Sequence, residues 1–139
     1  MVDVRDVVRD YYYHPAMGGS NSIKDVLPAV LSASRFLKDK YSKPLGFGTN
    51  LNGKIWRQDD AVSGKAIDPY NLLISNFDDN IGCDVIRDGG AAMTAFGKMQ
   101  FSDISEKERN AIITSLLRYC ELDTLAMLMI YEHWRSLQL

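Results

Sequence analysis

The sequence predicts a mainly α-helical fold: about five helices around a long irregular middle segment. Three observations carry this expectation. Val4, Val7, Val8, Tyr11 and Tyr12 recur at i, i+3, i+4, i+7 and i+8, one face of an amphipathic helix. Ser105 to Leu137 lies in the longest run free of Gly and Pro and opens with a capping box, Ser105 three residues before Glu108. Between the two ends, from Ser42 to Asp88, glycines, Pro44 and Pro69 interrupt every periodic pattern. The expected organisation is a single domain or domain fragment over 1–139, with N-terminal helices in 1–41, an irregular insertion in 42–87 and C-terminal helices in 88–139.

Asp3 can cap the first helix, and Pro15 with Gly18-Gly19 ends it. Ser22 and Asp25 suggest a second capped helix that buries Ile23, Val26, Leu27, Val30 and Leu31. Pro28 inside it removes a backbone donor, so a bend or a tight last turn is expected. Free N–H groups in the preceding Gly-Gly-Ser-Asn-Ser turn could cradle a phosphate. The P-loop spacing is missing, however, and a plain turn and cap is the favoured reading. Ser34–Tyr41 can form a third helix with Phe36 and Leu37 inward.

In the middle segment Ile55-Trp56 and Val85-Ile86 could sit in short strands. Trp56, Tyr70, Leu72, Leu73, Ile74 and Phe77 are the candidates to pin it onto the helices. The pairs Asp59-Asp60 and Asp78-Asp79 match no EF-hand loop and read as solvated charge. Further on, Asp88 can cap a helix whose face is Ala91, Ala92, Ala95, Phe96 and Met99, a core stripe with no function assigned.

Two helices are expected after Ser105. The first, to about Arg118, should bury Ile112, Ile113, Leu116, Leu117 and Cys120. The second, from about Glu121, is apolar nearly all round from Leu122 to Tyr131 and needs cover on several sides. Asp123-Thr124 offers side-chain competitors for backbone groups, so the axis is expected to break there. Within this stretch Tyr119 and Asp123 stand four apart, placing a phenol and a carboxylate one turn apart on one face. Spacing alone also allows Asp123 to be simply a cap at a helix N-terminus.

Bulk properties narrow the function classes. The chain has 139 residues, 46% of them hydrophobic and 24% charged, the composition of an ordinary globular domain. A net charge of −2 gives no electrostatic case for nucleic acid or an anionic membrane, although metal-dependent nucleases also carry clustered carboxylates. The apolar run Leu125–Tyr131 is too short to span a bilayer, and Met1 to Asp6 has no secretory pattern. No membrane association and a cytoplasmic location are expected. Cys83 and Cys120 lack paired spacing and read as free thiols.

Beyond composition, Tyr119 to Asp123, read with Leu122-Asp123-Thr124-Leu125-Ala126-Met127, resembles the third motif of DEDDy-type exonucleases. These are DnaQ-like 3′–5′ exonucleases of the ribonuclease H-like fold. Tyr12-Tyr13-His14-Pro15, Gly19 to Pro28, Asp88 to Met93 and Arg118 to Met127 together resemble the C-terminal part of a bacterial family described only as a domain of unknown function, whose members look like such exonucleases. The resemblance covers about Asp3 to Trp134. It implies that the chain is the C-terminal helical portion of a ribonuclease H-like α/β domain, with Ser42–Arg87 a family-specific insertion. It further implies that Asp123 is a metal ligand, one of four carboxylates, and that Tyr119 positions the attacking water. Mg or Mn is expected in the parent family, because two adjacent divalent ions need more charge than one carboxylate supplies. The Asp-x-Glu first motif, the second motif and the sheet would lie before residue 1. The chain alone is therefore expected to bind no metal pair and to cleave nothing, nucleic acid being a partner only of the complete domain. If the absent sheet normally covers the Leu122–Tyr131 helix, a homo-oligomer or the middle loop must cover it here. A self-contained helical interaction domain without catalysis is the alternative.

Overall fold

The computed structural model describes residues 2–77, 86 and 89–138, with the side chain of Ile74 excepted. Among these residues the fold is mainly α, with six α-helices and no strand longer than the isolated bridge between Asp59 and Ala66. The helices are α1 (Val4–Tyr11), α2 (Ile23–Ala33), α3 (Arg35–Tyr41), α4 (Pro69–Asn76), α5 (Gly89–Phe101) and α6 (Glu106–Leu137), with a 3-10 turn at Pro15–Met17. The expected caps of Asp88, the Asp78-Asp79 pair, Cys83 and Val85 lie outside the described residues.

α6 is the axis of the molecule. It runs unbroken for 32 residues, so the expected break at Asp123-Thr124 does not occur. Thr124 instead donates its hydroxyl to the Cys120 carbonyl one turn back at 3.2 Å, which satisfies the side chain without leaving the helix. α2, α3 and α4 pack on α6 and bury Leu122, Leu125, Ala126, Met129 and Ile130. α2 is itself deep in the core, with Val26, Leu27, Ala29, Val30 and Leu31 buried, and it continues through Pro28 to Ala33. In α3 the inward pair is Leu37 and Tyr41, four apart; Phe36, one residue off that face, is half exposed.

The first half of α6 differs from the expected buried face. Ile112 is buried, but Ile113 is 40% and Leu117 50% exposed, and Cys120 is exposed. α5 packs on α6 and buries no residue fully, while Tyr70 and Phe77 reach Tyr119 and Arg118 at the end of this part. An apolar pattern predicts a helix here, but the number of layers around it is a tertiary property.

The middle segment packs into the core that α6 shares. Leu45, Leu51, Trp56, Tyr70, Leu72 and Leu73 are buried in the same core as α2 and α6. Order comes from scattered tertiary hydrogen bonds: the Tyr41 carbonyl accepts from Trp56 N at 3.2 Å and Arg57 N at 2.9 Å. Asn76 donates to the Ile55 carbonyl at 3.0 Å.

Glu121 anchors the turn before Leu51 to α6. Its carboxylate accepts from the backbone N–H groups of Thr49 (2.9 Å), Asn50 (2.8 Å) and Leu51 (3.3 Å), and from the Asn50 side chain (2.8 Å). Burial pushes this carboxyl up, but these donors together outweigh it and hold it below the usual glutamate range. Gly48 is required beside it: its φ is +90°, and a Cβ there would lie 2.4 Å from Glu121 Oε1. Glu121→Ala is expected to cost about 1–3 kcal/mol. Denaturant unfolding measures the loss, and amide exchange should accelerate first in residues 48–51.

At the far end of α6, Tyr12 docks α1 against His133 and Trp134, with ring centroids 6.1 Å and 5.8 Å away. The Tyr12 hydroxyl and His133 Nε2 are 3.4 Å apart, while His133 Nδ1 is buried without a partner among the described residues. Burial first, and the charge of nearby His14 second, hold the imidazole below its ordinary pKa of 6.5. Below that value the unfolded chain binds more protons than the folded one. The stability is fully present above pH 6.5 and is lost as pH falls toward the folded value. The urea midpoint is expected to drop between pH 7.5 and about 5.5, and His133→Gln should flatten that dependence.

Candidate functional site

Asp68 and Pro69 begin the construction of this site. Asp68 caps α4 by accepting from Tyr70 N at 3.0 Å, and Pro69 presets the first helical φ. Together they fix Tyr70 at the second position of the helix, with its ring buried toward α6. There the Tyr70 hydroxyl donates to Asp123 Oδ1. The ring of Tyr119 lies 5.9 Å from that of Tyr70, tilted by 52°. Lys24, in the first turn of α2, places Nζ 5.7 Å from the Tyr70 ring centroid, within cation–π range.

Tyr119 and Asp123 therefore share one face of α6, as their spacing requires, and both are partly buried. Asp123 is mid-helix and caps nothing, so the cap reading of this residue is corrected by the continuity of α6. Its partner is a side-chain hydroxyl from α4, 53 residues away in sequence. Burial, with the Asp123 carboxylate as the next cause, raises the Tyr70 phenol far above its ordinary value, so it remains a donor at every physiological pH. Burial also raises Asp68, against the Tyr70 N–H and the Lys24 charge.

The sequence marks Tyr70 as a core anchor and not as a site residue. The run Asp68-Pro69-Tyr70, a helix start, was the available signal.

The donor set decides how far this site can hold metal. One Asp123 oxygen is already engaged by Tyr70. Among the described residues no group of three or more His, Cys, Asp or Glu side chains is placed to hold an ion. The side chains described here do not by themselves fit a two-metal centre.

The Gly18-Gly19 turn takes two left-handed residues, with φ +61° and +80°. It leads into a groove of about 540 Å³ lined by Ser20, Asn21, Ser22, Asp3 and Arg5 together with apolar residues such as Val26 and Ile130. No helix among the described residues is long and apolar enough to cross a membrane. Comparison with protein-family models, with curated proteins and with solved structures returned no match.

Proposed function

We propose that the chain is the C-terminal portion of a DEDDy-like, metal-dependent 3′–5′ exonuclease domain. In this role Asp123 supplies one acidic ligand and Tyr119 positions water. One observation carries the reading: the Ser22-Ile23-Lys24 segment and the Tyr119–Asp123 pair, both parts of the resemblance, meet across Tyr70. A phenol beside a carboxylate at a partly buried rim suits a site completed by further carboxylates from elsewhere. In this reading those carboxylates come from outside the described residues, and the chain is proposed not to cleave on its own. The test is hydrolysis of end-labelled single-stranded DNA and RNA with Mn²⁺, comparing the chain with Asp123→Ala. No cleavage by either is expected. Metal-dependent cleavage lost in the variant would show that the chain holds a complete site. An in-frame upstream segment is expected to carry a strand ending in Asp-x-Glu and a later aspartate motif.

A second reading, a helical protein-interaction domain, is favoured by a different observation. Met93 (78%), Phe96 (51%) and Phe101 (88%) on α5 are exposed, as are Ile113 and Leu117 on α6. The second half of α6 is covered in large part by its own chain, with Met127 and Tyr131 left exposed, and in this reading self-association uses the α5–α6 arm. Light scattering at micromolar concentration should then give a mass above 15.7 kDa, and Phe101→Ser should lower it. A monomeric mass counts against this reading.

A further inference from the structure

Between the end of α2, the start of α3 and the loop 57–66 lies a cleft of about 320 Å³, on none of whose walls Tyr119 or Asp123 stands. Its charged lining is Arg35, Lys38, Arg57 and Lys65 against one carboxylate, Asp59. In a chain of net charge −2, a concentration of four cations around one cleft is a local departure from the whole.

Arg57 gives the cleft a fixed floor. Its side chain is 4% exposed, Nε donates to the Leu31 carbonyl at 3.1 Å, and Nη1 pairs with Asp59. The remaining nitrogen, Nη2, has no partner among the described residues and is not sealed from solvent, so a buried guanidinium keeps one face available to the cleft. Asp59 also pairs with Lys38 at 3.2 Å and thereby holds two cations at one wall. Arg35 and Lys65 have no ion-pair partner among the described residues. Ser32 and Ser34 add hydroxyls whose oxygens already accept from Ala66 N (3.3 Å) and Leu37 N (3.2 Å), and the rest of the lining is Ala33, Gly64 and Ala66. No aromatic ring lines the cleft, so nothing there can stack on a base or another flat apolar group.

We infer that this cleft binds a phosphate ester through Arg35, Arg57 and Lys65, with the Ser32 and Ser34 hydroxyls as donors to oxygens of the attached sugar. A guanidinium held by two fixed acceptors loses little entropy when it binds an oxyanion, and its planar donors match phosphate oxygens. The volume exceeds that of a bare phosphate and suits a sugar phosphate. The shared chemistry, a phosphate on a sugar, can come from a small metabolite or from one position of a nucleic-acid backbone.

The test is amide chemical-shift titration of the folded chain at constant ionic strength with ribose 5-phosphate, oligothymidylate and inorganic sulfate as probes. Saturable shifts confined to residues 32–38 and 57–66 are expected with at least one of the first two. Ribose 5-phosphate binding assigns a small-molecule source, and binding of oligothymidylate alone assigns a nucleic-acid backbone. The exposed pair Arg35→Ser with Lys65→Ser, which leaves the core untouched, should weaken binding at least tenfold. Arg57→Lys tests the buried donor and should weaken it further, with the fold checked by its spectrum. No saturable binding by either sugar phosphate at 10 mM (on the order of the weakest specific affinities), equal binding of sulfate, or undiminished binding by the double variant would overturn the assignment.

Discussion

Trp56→Ala is expected to cost about 3–5 kcal/mol, a large share of the stability of a domain this size. The indole is fully buried in a stretch with no regular secondary structure, and its Nε1 donates to the Leu51 carbonyl at 3.2 Å. On its other side the ring of Phe77 lies 6.3 Å away. Removing it opens a cavity and also loosens the segment that shares the core with α6. Urea unfolding of the variant and wild type measures the difference. A loss under about 1 kcal/mol would show that residues 42–68 merely decorate the helices.

Asp123→Asn separates chemistry from structure more sharply. The amide oxygen can still accept the Tyr70 hydroxyl, so thermal stability should change little. In the proposed role the residue acts through its negative charge, which the amide lacks. Activity of the complete domain should fall on the order of 10³-fold, the equivalent of several kcal/mol of lost electrostatic stabilisation. Asp123→Ala should differ by also lowering stability, since it strands the Tyr70 hydroxyl at a partly buried position.

The helical class and the positions of α1, α2, α3, α5 and α6 could be read locally, because periodicity and caps lie within one turn of the residues they govern. The same signals missed which helical faces are covered. Tyr11, assigned to the inner face of α1, is 86% exposed because the helix ends there and Tyr12 alone turns inward. Nothing near Asp123 in sequence announces Tyr70, and nothing near Asn50 announces Glu121, 71 residues on. α4 was legible in Asp68-Pro69 as a start signal but is only 8 residues long, too short for its period to stand out from the loop around it. Lys24 and Tyr70 thus join Tyr119 and Asp123 through packing, while the latter two share a face through spacing.

The proposed nuclease role is tested most directly on the chain joined to the reading frame that precedes it. Digestion of 3′-labelled single strands with Mn²⁺ is followed for wild type and Asp123→Asn. Stepwise cleavage from the 3′ end by the wild type, reduced at least a hundredfold in the variant, is the predicted result (a conservative part of the loss several kcal/mol implies). Equal cleavage by both proteins, or no cleavage by the joined wild type, would contradict it.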